Sequence, residues 1–460
     1  MSASYPVLLR RNPSELALRA LGLLAGVGSL LALAAGLALL LSRYPPPLTL
    51  VPAIGIGVLG TLALALARYD LAVAFGFLLL GFVRIEPAPT DVVFALVIAV
   101  ALVTGRFTLR RAPPAATGLI VGFLALNLLS GTAVVDPPRA TTFFAITLYL
   151  GIFSLWLTTY VDSAKRTRLL LRGYLAAAVL SAALSVLAVS VPVPGGDLLL
   201  SEGRAQGLFK DPNVFGPFLV PAALILIEEM LSPRLLRARL STKAILLLFL
   251  TMGILFSYSR GAWLNFALGV LVMFAVFSMR RGGARRALLL LTVVLVAATS
   301  LAAAVAVIGS VDFLQERARL QSYDANRFGG QVAGLEAAER HPFGIGPGQF
   351  EQTLETSAHS TYVRALAEQG LLGLVSVLAL LVFTLGWAAR NAVIGRDTYG
   401  LGSAALLAAW CGVLANSLVI DTLHWRHLWL IAALIWAGTM RRNAGVSAWP
   451  AGTGARRSPG

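Results

Sequence analysis

At 460 residues, with 58% hydrophobic and only 13% charged residues, the chain is far too apolar for a soluble globular protein, in which about a quarter of residues are charged. A net charge of +16 points to a membrane surface or to nucleic acid, and the placement of the basic residues decides between them. The single cysteine, Cys411, excludes an internal disulfide framework and a cysteine-rich metal site.

Apolar runs recur from end to end, many close to the ~20 residues that cross a bilayer as a helix. The pattern predicts helices at about 16–41, 48–67, 71–83, 91–104, 117–132, 141–160, 169–190, 213–227, 243–257, 262–278, 287–308, 364–388, 402–418 and 425–440. The first run is too long for a signal-peptide core and lacks a small-residue cleavage site, so it reads as a retained anchor. The runs at 71–83 and 91–104 are short for a full crossing, which sets the expected count at 12–14 transmembrane helices. The chain is an all-α polytopic membrane protein by this reading. Its organisation is N-terminal helices at 1–200, central helices at 201–308, one large loop at 309–360, C-terminal helices at 361–440 and a tail at 441–460.

With the N-terminus inside, the inner segments collect most of the 37 basic residues, in clusters such as Arg10–Arg11, Arg110–Arg111, Lys165–Arg166 and Arg280–Arg281. Of the 21 acidic residues only Glu15, Asp70, Asp162, Glu228, Glu229 and Asp397 fall on that side. Such a bias orients helices during insertion and puts both termini in the cytoplasm. The positive charge therefore faces membrane lipid, and no nucleic-acid partner is needed.

Against this background the outer segment Gly309–Ser360 is unlike any other loop. It holds an amphipathic piece and a Gly/Pro-rich stretch, Phe343–Phe350, that reads as a turn. Two short outer loops carry an arginine in a polar setting: Arg204 in "GRAQGLFKDPN" and Arg260 in "FSYSRGAW". Outer positive charge runs against the insertion bias. A lone arginine there is explained by snorkelling to headgroups, or by pairing with Glu202 or Asp211. Two arginines and a histidine, His359, on three facing loops favour an anion site, because guanidinium binds phosphate oxygens bidentately. The helix starting near Asn213 would add N–H groups and a partial positive end. The plain alternative for His359, in "ETSAHSTYVRALAEQG", is an interfacial residue beside a helix cap at Ser360 or Thr361. His341, His424 and His427 take structural readings. No histidine pair has metal-ligand spacing and no outer carboxylate pair resembles a magnesium site, so neither metal nor cofactor is expected.

In order and spacing, "RAQGLFKDPNVFG" (204–216), "SYSRGAWL" (257–264), "NRFGGQVAGLEAAERHPFGIGPGQF" (326–350) and "AHSTYVRALAEQGLLGL" (358–374) resemble the O-antigen ligase/polymerase family, over roughly residues 200–375. That family commonly has about twelve spans. The resemblance implies a glycosyltransferase C-type helical bundle in the bacterial inner membrane, with one large periplasmic loop and an active site at the outer face. It implies transfer of a glycan from an undecaprenyl-diphosphate-linked donor to a glycan or lipid A core acceptor, with inversion and without metal. On this resemblance Arg204 and Arg260 hold the diphosphate and His359 is the general base. Arg327 is a weaker third phosphate contact, and Lys210, Asn213 and Tyr362 are further candidates. A repeat-unit polymerase of the same family uses the same donor chemistry. A transporter or flippase is disfavoured, because span centres are nearly free of charge and no internal repeat is visible.

Overall fold

Helix starts are written into the sequence as short polar residues, often followed by proline. The computed structural model describes residues 51–440 except 281, 310, 320 and 321. The expected anchor at 16–41 and the tail at 441–460 lie outside the described residues. In chain order the first helices are α1 (Val51–Ala67), α2 (Tyr69–Leu78), α3 (Pro89–Val103), α4 (Pro114–Ser130), α5 (Pro137–Tyr160) and α6 (Ala164–Ser190). A two-stranded antiparallel ribbon, β1 (Leu200–Ser201) and β2 (Arg204–Ala205), precedes α7 (Pro212–Leu231), α8 (Leu240–Phe256), α9 (Arg260–Met279) and α10 (Ala284–Ile308). The loop region holds α11 (Val311–Ala318), α12 (Ser322–Arg340) and α13 (Phe350–Leu354), followed by α14 (Thr361–Val393), α15 (Ser403–Asn416) and α16 (Arg426–Met440). Asp136 caps α5 through Arg139 N at 3.0 Å, Asp211 caps α7 through Asn213 N at 2.7 Å, and Ser360 caps α14 through Val363 N at 3.4 Å.

The chain is an all-α polytopic membrane protein. Each expected run from 48–67 onward holds a helix. Among the described residues, seven helices are long and apolar enough to cross a membrane. Five further apolar helices have 10–17 residues. At ~1.5 Å per residue these five fall short of the ~30 Å hydrocarbon core. Length alone thus supports seven crossings within the described residues, where the apolar pattern predicted 12–14 over the whole chain. Helix α7 is central, with 83% of its apolar window buried; α10 is peripheral, with 11%. Trp156, Trp410, Trp429 and Trp436 are fully buried and fill the space between helices.

Polar contacts sort the connections into two sets, one at each end of the bundle. At one end Arg166 pairs with Asp70 at 3.3 Å, Arg168 donates to Leu235 O at 3.0 Å, and Arg280 donates to Ala392 O at 2.9 Å. At the other, Lys210 pairs with Glu86 at 2.7 Å, Arg204 meets Ser257, Gln349 meets Val135, and Arg426 grips Asp91. The 309–360 segment lies in the second set.

The expected turn at 343–350 is present, with Gly344, Gly346 and Gly348 all at positive φ. It packs against an unexpected break. The pattern predicts an unbroken helix over 364–388, but α14 is interrupted at Gly370 (φ 70°, ψ −171°). A Cβ at Gly370 would lie 2.1 Å from Pro342 O, so only glycine lets the two segments meet. The break leaves carbonyls of the first α14 segment without helical donors, and the turn supplies them: Ile345 N donates to Ala367 O at 2.9 Å and Gly346 N to Glu368 O at 3.0 Å.

Candidate active site

The three arginine and histidine segments are linked by contacts at the loop end of the bundle. Arg204, on β2, donates Nε to Ser257 O at 3.0 Å and Nη2 to Asn213 Oδ1 at 2.9 Å. One guanidinium therefore joins the ribbon, the start of α7 and the turn before α9. Arg260 opens α9 and donates Nη1 to the Arg319 carbonyl in the loop region at 3.1 Å. Helix α9 packs along α15, with Gly261 against the Asn416 side chain. The end of α15 also holds the histidine segment: Thr361 N donates to Ser417 O at 2.9 Å. Gln331 of α12 donates to His359 O and Leu418 O, each at 3.1 Å.

His359 is half-buried and stands among charges from four segments: Arg327, Asp211, Glu351 and Arg364. Burial first, and then the Arg327 guanidinium, hold its imidazole below the ordinary histidine value. Asp211 and Glu351 oppose this, and Arg364 adds to it. The net effect keeps the ring neutral near pH 7 and able to accept a proton. Arg327 thus acts on His359 through its charge, and so does Asp211 at the start of α7.

The other candidates are engaged elsewhere. Lys210 pairs with Glu86 at 2.7 Å and stays half exposed. The Tyr362 hydroxyl donates to Leu414 O at 3.1 Å. Asn213 serves Arg204 through its side chain. The expectation of open N–H groups at the α7 start needs correction. Pro212 has none, Asn213 N is bonded to the Asp211 carboxylate, and Val214 N and Phe215 N to the Asp211 carbonyl, each at 3.0 Å. Asp211 is thus the ligand of this helix start.

A second polar group was missed in the sequence. Arg364, buried in the first turn of α14, lies 2.7 Å from Glu368 Oε1 and 2.9 Å from Asp421 Oδ2, and also pairs with Glu351. Arg139 of α5 reaches Glu351 at 2.8 Å and Gly348 O at 2.7 Å. Glu368 accepts from Gly348 N at 2.9 Å and Phe350 N at 3.2 Å. Glu351 also accepts from Ala358 N at 3.4 Å, one residue before His359. Despite burial, the Arg364 guanidinium holds the Glu351 carboxyl below its usual range. The available signal was Arg364 and Glu368 at i, i+4 in an apolar helix, where unpaired charge is too costly to persist. Among the described residues no group of three or more His, Cys, Asp or Glu side chains is placed to hold a metal ion.

The fold defines a multi-pass helical membrane protein in which the segments carrying Arg204, Arg260 and His359 are linked at one end of the bundle. Residues 245–378 match the family model O-Antigen ligase, and the match supports assignment to the O-antigen ligase/polymerase family, whose members are glycosyltransferase-type enzymes. The matched segment includes Arg260, Arg327, His359 and Tyr362, whereas Arg204, Lys210 and Asn213 precede it. No curated protein matches the chain.

Proposed function

We propose that the chain is an O-antigen ligase-like, inverting glycosyltransferase that moves a glycan from undecaprenyl diphosphate to an acceptor sugar hydroxyl, that of the lipid A core. The reaction takes place at the outer face of the bacterial inner membrane, with both termini cytoplasmic and the 309–360 segment periplasmic. The acceptor oxygen forms a bond to the anomeric carbon, and the anomeric carbon–oxygen bond to phosphate breaks. The acceptor proton passes to the His359 imidazole, and undecaprenyl diphosphate leaves with the bonding pair. Diphosphate is already a good leaving group, so the protein has to stabilise its growing negative charge. Arg204 and Arg260 do this without a metal, and Arg327 adds a third positive charge beside the histidine.

The observation that carries this reading is the chain of contacts from Arg204 through Ser257 to the α9 start, and from there through the α15 end to the segment of His359. The test is transfer by the purified protein in proteoliposomes, with a labelled glycan on undecaprenyl diphosphate as donor. Label should move to lipid A core, and transfer should persist in EDTA. Label moving only onto a second lipid-linked unit identifies a polymerase, and transfer restored only by magnesium would contradict the metal-free account.

A further inference from the structure

Helix α12 is built inside out for a helix in water. Its inward side is made of small residues: Gly330, Gly334 and Ala337 are buried at i, i+4, i+7 spacing. A Cβ at Gly334 would lie 2.5 Å from Val363 Cγ1, and one at Gly330 would lie 2.9 Å from Ser357 O, so the helix lies hard against the histidine segment. Its large apolar side chains point away. Phe328, Val332 and Leu335 follow the same i, i+4, i+7 spacing and are 58%, 53% and 48% exposed; Phe343 in the adjoining turn is 80% exposed. A stripe of this kind marks an interaction surface.

We propose that this stripe of α12 seats in the interfacial layer of the bilayer, so that the helix lies in the membrane plane. Two observations select lipid as the occupant. The first is depth. Gln331 ties α12 to Leu418 O, two residues past the end of α15. With 14 residues, α15 is only ~21 Å long at ~1.5 Å per residue, shorter than the ~30 Å apolar core. A helix seated on its end is thereby drawn down to the headgroup–acyl boundary, ~5–10 Å deep, where interfacial helices lie. The second is continuity. Helix α10 is apolar and only 11% buried, so its length is open to lipid. It ends at Ile308, and α11 starts three residues later with an exposed Val311. The charged residues at the C-terminal end of α12 include Glu336 and Arg340, paired at 3.5 Å, and long side chains of this type snorkel to water. Seated this way, α12 fixes the height of the loop that carries Arg327 and Gln331, and through Gln331 the height of His359.

The inference stands on the fold and does not need the proposed reaction. It is tested in a Cys411→Ala background with nitroxide labels at Val332→Cys, at Leu372→Cys on α14 (60% exposed in the bundle) as the lipid reference, and at Gln352→Cys as the water reference. The purified full chain is reconstituted in phosphatidylethanolamine/phosphatidylglycerol vesicles. Relaxation by oxygen and by a water-soluble nickel chelate should place the Val332 label on the lipid side, close to Leu372 and far from Gln352. A Val332 label as open to the chelate as Gln352 overturns the proposal. So does a label shielded from both reagents, which would mean that protein covers the stripe. A Leu372 label that reports lipid in the same sample shows that the bundle is intact.

Discussion

Arg204 donates to the Ser257 carbonyl at 3.0 Å, so the arginine from one short loop sits on the turn that presents the other, Arg260. With its second contact, to Asn213 Oδ1 at 2.9 Å, the guanidinium is oriented by two fixed acceptors. A planar fork does this and a lysine ammonium does not.

Arg204→Lys and Arg260→Lys should therefore each behave almost like the alanine variants. Loss of one charge-stabilising donor costs on the order of 10²–10³ in turnover. Transfer rate and protein yield, measured side by side, check this. Wild-type turnover in both lysine variants would refute bidentate diphosphate binding.

The charges around His359 set a pH dependence with a definite sign. The base acts when neutral, so transfer should fall as pH drops through its pKa, which burial and Arg327 hold below the usual ~6.5. Arg327→Gln removes a lowering charge and should move this acidic limb to higher pH. Asp211→Asn removes a raising charge, keeps the helix-capping oxygen, and should move the limb to lower pH. Shifts in the same direction for both variants would rule out His359 as the titrating group.

Gly370 has φ 70° and ψ −171°, a region that only glycine populates readily. An added methyl would also meet Pro342 O at 2.1 Å. Gly370→Ala should cost at least about 2–3 kcal/mol, from strain of about 1–3 kcal/mol and from overlap. Thermal unfolding in detergent reads this. Gly386→Ala, where nothing lies within 4 Å of the added carbon, is the neutral comparison.

The helices were legible because a run of apolar residues near bilayer length has few other fates, and because Ser360 marks the start of α14. The break at Gly370 was not. One glycine within an apolar run carries no local sign that a distant turn will donate to the carbonyls of Ala367 and Glu368. The candidate arginines and His359 stood out as charge in the wrong place. The Arg364 group did not, since its partners Glu351, Glu368 and Asp421 span seventy-one positions of sequence, and only folding brings them together. The reading of the α7 start failed for a local reason: Asp211 and Pro212 already satisfy or remove the N–H groups that an anion would use.

The central claim is that His359 takes the acceptor proton while the arginines hold the donor. The most direct measurement is transfer rate together with donor binding on folded His359→Ala protein. The account predicts a loss on the order of 10²–10⁴ in turnover with donor affinity nearly unchanged. Near-normal transfer by the folded variant would contradict it and leave Arg204 and Arg260 serving another base.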